Sequence, residues 1–257
     1  MSLQHELSLR EHFNEGHAKG FDGSGDLRFV FYSNATIRWA RKELPELAPR
    51  NILDLGAGDV WLLQELGKMT PSSPLLIAID ISDTSRQKCA ARIASSGHQR
   101  TYFVQADACN TPLKDGSIDF LTSTMLMEHL DDHRFLSEVH RLLSKKGVAL
   151  ITTVIKKPWG WYYLKNSEGK SVLELSHLRE YSSLTELTQL FEKHGFRILQ
   201  SNAAQIRFTL LTPLFKRLSN PWMSRFPATK AGVLLRLLTR VPIPGYLSAE
   251  IIATKSS

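Results

Sequence analysis

Ten residues constrain this chain more than any other stretch. They are Arg50 to Asp59, Arg-Asn-Ile-Leu-Asp-Leu-Gly-Ala-Gly-Asp, where an apolar run meets two glycines and then a helical pattern. Ile52, Leu53 and Leu55 suit a strand buried on both faces of a parallel sheet. Gly56 and Gly58 let the backbone turn sharply and approach a ligand with no Cβ in the way. Val60 to Met69 reads as the helix that follows, and its first free amides favour polar or anionic ligand atoms. Taken alone, glycine-x-glycine after a strand is also compatible with a tight turn.

Three further apolar runs repeat the pattern. Leu75 to Asp80 ends in a carboxylate 22 positions after Gly58, and an acid at the tip of a second strand can accept both hydroxyls of a ribose. Tyr102 to Asp107 ends in another acid. Ile118 to Ser123 leads through Thr124 into Met125 to Leu130, which carries Glu128 and His129. Helical patterns lie between the runs, at Ser85 to Ser95 and at Asp132 to Leu143, the latter with Phe135, Leu136, Val139, Leu142 and Leu143 as an apolar stripe. Gly147 opens a fifth strand, Val148 to Ile155. Leu184 to His194 reads as a helix ended by Gly195, and Arg197 to Ile206 and Tyr246 to Thr254 read as the sixth and seventh strands. Such alternation calls for a parallel, doubly wound sheet with ligands at the carboxyl ends of the strands, where Asp54, Asp80, Asp107 and Glu128 all fall.

In this order the motifs resemble the class I S-adenosylmethionine-dependent methyltransferases, especially the type 11-like group acting on small molecules, over roughly residues 48 to 200. The resemblance implies an α/β, Rossmann-like sheet of seven strands with helices on both faces. It is mostly parallel, with the last strand inserted antiparallel beside the fifth. It further implies that Asp54 and the Gly56, Ala57 and Gly58 backbone hold the methionine half of S-adenosylmethionine, that Asp80 with Ile81 holds the ribose, and that Asp107 with Ala108 contacts the adenine. Thr124 ends the fourth strand, which in this family faces the transferable methyl group. One departure is plain: the family's usual third glycine is replaced by Val60, followed by Trp61. A dinucleotide fingerprint needs that glycine for close approach to a pyrophosphate, so its absence counts against NAD more than against S-adenosylmethionine, which has no phosphate. It also leaves open a chain that keeps the fold and has lost the cofactor.

Residues 1 to 47 read as an N-terminal arm and lid, and residues 48 to 257 as the methyltransferase domain. In the arm His12, Phe13 and Phe21 are candidate anchors, and Ile37 to Leu44 is helical; the resemblance implies that this helix closes over the site, where Tyr32 would face it, the alternative for Tyr32 being simple packing. Lys156 to Tyr181 is too long for a simple connection and gathers Trp159, Trp161, Tyr162, Tyr163, His177 and Tyr181, as expected of a substrate wall. Residues 207 to 257 hold eight of the 32 Lys and Arg but only Glu250 of the 25 Asp and Glu, so the whole net charge of +7 sits there. Within them, residues 207 to 245 form a basic amphipathic insertion with two short helices expected near 209 to 218 and 228 to 240. Such a segment suits a pocket cover, plain packing, or peripheral contact with an anionic membrane face.

Only Cys89 and Cys109 occur, without metal-ligand spacing, so neither a disulfide framework nor a metal site is expected. Met1 to Phe13 lacks the apolar region of a signal peptide and no run reaches about 18 apolar residues, which leads to an expected cytoplasmic location, at most peripheral at the inner membrane face. No nucleic-acid module is recognisable. The Asp- or Asn-Pro-Pro-aromatic tetrapeptide common in base-methylating relatives is replaced by Thr122-Ser123-Thr124-Met125, so no nucleic-acid partner is expected.

Methyl transfer from a sulfonium is an in-line displacement in which the protein mainly positions the reactants. An oxygen acceptor also needs a base, and His129, His177 and Glu128 are the candidates. The sequence thus points to methylation of a small-molecule acceptor, on oxygen, with a sugar, glycolipid or secondary metabolite favoured. The alternative is a catalytically silent methyltransferase-like subunit that binds a protein partner through the basic insertion.

Overall fold

The computed structural model describes residues 27–58, 60–96, 100–160, 174–209 and 240–256, with Arg10, Glu11, Phe13, Asn14 and the strand pair 164–165 and 171–172. Its elements run α1 (Leu27–Leu47), β1 (Asn51–Leu55), α2 (Trp61–Lys68), β2 (Leu75–Asp80), α3 (Asp83–Ser96), β3 (Thr101–Gln105), β4 (Ile118–Thr124), a 3-10 turn (Met127–His129), α4 (Asp132–Leu142), β5 (Leu143–Lys156), β6 (Leu164–Lys165), β7 (Ser171–Val172), α5 (Leu184–Lys193), β8 (Phe196–Thr209) and β9 (Arg240–Lys255). Seven strands form one sheet in the order β3-β2-β1-β4-β5-β9-β8, and β6 and β7 pair separately. Strands β1 to β5 are parallel, while β9 runs antiparallel between β5 and β8. The doubly wound, Rossmann-like sheet expected from the sequence is therefore present, including the antiparallel insertion. The strand order reverses between β1 and β4, so the loops leaving these two strands flank the crevice where such sheets bind ligands.

The central strands read as largely apolar runs because both faces are covered. On one face Leu53, Leu55, Ile77, Ile79, Leu121, Ala149 and Ile151 pack with Phe135, Leu136, Val139 and Leu142 of α4 and with Leu187, Leu190 and Phe191 of α5. On the other, Ile52, Leu76, Ala78, Phe120, Leu150 and Ile252 meet Leu62, Leu63 and Leu66 of α2 and Ala40 and Leu44 of α1. In α1 the residues Ile37, Ala40, Leu44 and Leu47 recur at helical spacing on this core-facing stripe, and Trp39 stacks on Phe120 with ring centroids 5.4 Å apart. Full burial of each Leu, Ile or Phe contributes about 1.5–3 kcal/mol, which makes these two interfaces the main source of stability. Caps fix where helices begin: the Asp131 carboxylate accepts the Arg134 amide at 3.0 Å to start α4, and Ser183 Oγ accepts the Glu186 amide at 3.1 Å to start α5.

Several boundaries differ from the sequence expectation. Strand β5 begins at Leu143 rather than Val148, because Leu143 already pairs with Ile118 before the register shifts between Ile118 and Phe120. Strands β8 and β9 continue into the basic stretch, with Arg207, Phe208 and Thr209 opposite Pro242, Val241 and Arg240. Thr209 and Arg240, expected in helices, are therefore strand residues; the remainder of both expected helices lies outside the described residues. Pro242 and Pro244 read as turn markers in the sequence, yet here they sit beyond Tyr246, the last β9 residue paired with β5, where β9 has β8 alone as neighbour and a missing N–H is tolerated. No described helix is long and apolar enough to cross a membrane.

Candidate active site

The loop after β1 is tied to the end of β2. Gly56 and Ala57 donate their amides to Ile79 O at 2.8 and 3.1 Å. Gly58 donates to Asp80 Oδ2 at 2.9 Å, and Ser82 donates to Asp80 Oδ1 at 2.8 Å, so the buried Asp80 carboxylate is oriented by backbone on both sides. Gly56 and Gly58 adopt φ of 75° and 54°, the left-handed region that side-chain-bearing residues avoid. A Cβ on Gly56 would meet Leu126 Cδ1 at 3.1 Å, so Leu126, in the loop after β4, closes directly over this glycine. Asp54 is buried in β1, in register with Ala78 and Thr122.

Val60, standing where a third glycine is usual, explains that glycine: it caps α2 at φ 60° and ψ 9°, fully buried. A β-branched residue in this conformation costs roughly 1–3 kcal/mol, which only the surrounding packing sustains. Met125, immediately after β4, is held at φ 52°. Two strained residues thus border the two loops that flank the crevice, as is common where backbone geometry serves a site.

Glu128, His129 and His177 come together although the last is 48 positions from His129. Their ligand-type atoms all lie within 4.8 Å of one another, and all three residues are buried. The 3-10 turn presents Glu128 and His129, and Leu178 and Arg179 donate their amides to Glu128 O at 2.8 and 3.2 Å, locking the His177 segment onto that turn. Thr153 Oγ1 donates to Glu128 Oε2 at 2.9 Å; Glu128 Oε1 is buried with no hydrogen-bond partner among the described residues. Burial pushes the Glu128 carboxyl up to about 7, against the pull of His177 and Thr153. His177 Nδ1 lies 2.8 Å from Glu180 Oε1. Burial draws the His177 imidazole down, but the Glu180 bond and the charges of Glu128 and Glu174 outweigh it and hold the imidazole above its ordinary value. The rings of His129 and His177 meet edge to face at 4.8 Å, and Phe13 packs edge-on against His129 at 5.2 Å.

The N-terminal residues bridge both halves of the crevice. Besides Phe13 on His129, Asn14 Oδ1 accepts from Ser82 Oγ at 2.7 Å and Arg10 pairs with Asp83 at 2.8 Å, both beyond the end of β2. On the opposite side, Thr124, Thr152 and Glu250 stand abreast across β4, β5 and β9, each with a buried side-chain oxygen unpartnered among the described residues. Burial raises the Glu250 carboxyl, with Arg38 acting against it.

Of the other residues singled out in the sequence, Asp107 and Ala108 follow β3, where Asp107 Oδ1 accepts the Cys109 amide at 2.8 Å, and the Ile81 carbonyl accepts from Gln105 Nε2 at 3.1 Å. Tyr181, expected in a substrate wall, is instead a core residue with 0% exposure, its backbone bridged to Ile155. Trp159 is exposed. Trp161, Tyr162, Tyr163, His12, Phe21 and the Tyr32 side chain lie outside the described residues. Thr153, Glu180 and Asn14 were not legible as site residues. Only the three-residue spacing of His177 and Glu180 offered a signal for any of them.

A family model described as a methyltransferase domain matches residues 53–151, the segment that carries both crevice loops. These residues are thus similar to a methyltransferase domain. A protein from Mycobacterium tuberculosis, described as a probable S-adenosylmethionine-dependent methyltransferase, is 27% identical over 154 residues, 59% of this chain and 50% of the relative. A ubiquinone/menaquinone biosynthesis C-methyltransferase from Geotalea uraniireducens is 29% identical over 139 residues, 50% of this chain and 58% of its own. The chain thus spans about half the length of the curated relatives it matches. Among solved structures, the Burkholderia thailandensis 1,6-didemethyltoxoflavin-N1-methyltransferase with bound S-adenosylhomocysteine shares the fold at a TM-score of 0.62 and 18% identity, covering 100% of this chain and 92% of that one.

Proposed function

We propose that the protein transfers the methyl group of S-adenosylmethionine to an oxygen of a small-molecule acceptor. The observation that carries this reading is the bonded unit of Gly56, Gly58 and Asp80 at the strand-order reversal, closed over by Leu126 and followed at once by Glu128 and His129. In it Asp54 and the glycine backbone take the methionine half of the cofactor, Asp80 and Ile81 the ribose, Asp107 and Ala108 the adenine, and Thr124 lines the methyl end. Residues 48 to 257 form the methyltransferase unit, and the residues before it act as a lid, in keeping with Phe13 packing on His129 after β4 and Asn14 bonding Ser82 after β2.

The names of the relatives include a carbon and a nitrogen acceptor. Oxygen is favoured here by the buried Glu128, His129 and His177 group, which suits an acceptor that must lose a proton as it is methylated. The polar row of Thr124, Thr152 and Glu250 supports a polar acceptor such as a sugar or a hydroxylated secondary metabolite. The excess positive charge of residues 207–257 favours an acceptor or surface of negative charge.

The test is Asp80→Ala. Hydrogen bonds to a charged group contribute roughly 1.5–3 kcal/mol, so S-adenosylhomocysteine should bind at least about tenfold more weakly by calorimetry, while the free protein stays folded with a lowered melting temperature because the Gly58 and Ser82 amides lose their acceptor. An unaltered dissociation constant would remove Asp80 from the site.

A further inference from the structure

We propose that Glu128, His129 and His177 form a binding site for one divalent cation, which holds and acidifies the acceptor hydroxyl. This deepens the methyltransferase reading and rests on it for the role of the cation, though not for its binding. No metal site was expected from the sequence, because the two cysteines lack ligand spacing and the three residues gathered here come from two distant segments.

Four observations converge. The three donors are mutually within 4.8 Å, so each lies within about 3 Å of their common centre. A divalent ion bound by imidazole nitrogen and carboxylate oxygen sits about 2.0–2.2 Å from each, and side-chain shifts under about an ångström close that gap. Glu128 Oε1 is buried and unpartnered among the described residues, a cost of several kcal/mol for an ionised carboxylate that a cation would offset. The other oxygen, Oε2, is held by Thr153. His177 gives Nδ1 to Glu180 at 2.8 Å, which fixes the ring and leaves Nε2 to face a ligand; metal-binding histidines are oriented by a carboxylate in this way. Finally, Glu174 Oε2 lies 3.9 Å from His177 Nε2, a further oxygen at the rim.

Two imidazoles and one carboxylate suit borderline divalent ions such as Co²⁺ or Zn²⁺ and leave coordination positions open. A hydroxyl oxygen bound there loses its proton to water more readily. Its lone pair then forms the bond to the methyl carbon as the carbon–sulfur bond breaks. That bonding pair stays on sulfur, giving S-adenosylhomocysteine and a methyl ether.

The experiment is a titration of the chelator-stripped full chain with Co²⁺, followed by visible absorption, alongside S-adenosylhomocysteine calorimetry on the same samples. One equivalent of Co²⁺ should bind and give ligand-field bands. Glu128→Gln and His129→Ala should each weaken it at least about tenfold, and Glu180→Gln, which touches no ion, by about 10- to 100-fold. S-adenosylhomocysteine affinity should persist in every variant, which also shows that each is folded. Absence of ligand-field bands, or Co²⁺ affinity unchanged in Glu128→Gln, would overturn the proposal. Stoichiometric Co²⁺ binding without S-adenosylhomocysteine binding would instead retain the cation site and remove the methyltransferase reading.

Discussion

Replacing His129 by alanine is expected to lower methyl transfer by at least about a hundredfold, with S-adenosylhomocysteine affinity nearly unchanged, once an acceptor is in hand. Removal of a proton-handling group costs about 10² to 10⁴ in rate, while positioning of cofactor and acceptor supplies the rest. His129 is the more telling of the two histidines because the 3-10 turn holds it at the end of β4, where Phe13 and His177 pack on its ring. Glu128→Gln should show the same split, since it keeps the shape of a buried side chain and removes only its charge. Comparing single-turnover rates with calorimetric affinities separates the two effects. Near-normal turnover in both variants would mean that the acceptor atom is already nucleophilic, and the cluster would then be structural.

Gly245→Ala is expected to be the most damaging single methyl addition, lowering stability by about 3 kcal/mol. Gly245 has φ 78°, and a Cβ there would lie 2.0 Å from Gly160 Cα and 2.6 Å from Gly160 N, so backbone rather than a side chain must move. The same pair of segments is joined by the Lys157 amide, which donates to Gly245 O at 2.7 Å. The contact therefore braces the exit of β5 beside the crevice against the start of the β9–β5 pairing. For a chain of this size each kcal/mol moves the melting temperature by about 2–4 °C, so a fall of about 6–12 °C is expected by calorimetry. A change under about 2 °C would show that the two glycines do not approach.

The sheet was legible because its central strands are buried on both faces and so read as mostly apolar runs, from Ile52–Leu55, broken only by Asp54, to Ile251–Ala253. Helix α4 was legible from its apolar stripe, and α5 from the Gly195 that ends it. The extensions of β8 and β9 were not, since Pro242 and Pro244 signal turns unless it is known that the strand has lost one neighbour there. In the site, Gly56, Gly58 and Asp80 stood out because local backbone demands leave a mark on composition. Val60 hid the same demand: its left-handed backbone is sustained by burial, which no local pattern records. Glu128 and His129 were visible at a strand end, but their union with His177, Glu180 and Thr153 depends on tertiary contacts between β5, the 3-10 turn and the segment before α5. Tyr181 was misplaced for the complementary reason, because aromatic clustering in a long connection does not distinguish a pocket wall from a core plug.

The central claim is that the loop formed by Gly56, Gly58 and Asp80 holds S-adenosylmethionine. Calorimetric titration of the full chain with S-adenosylmethionine, S-adenosylhomocysteine and NAD in parallel tests it most directly. The first two should each bind with one equivalent per chain and NAD should give no heat; binding of NAD alone, or silence from all three, would contradict it.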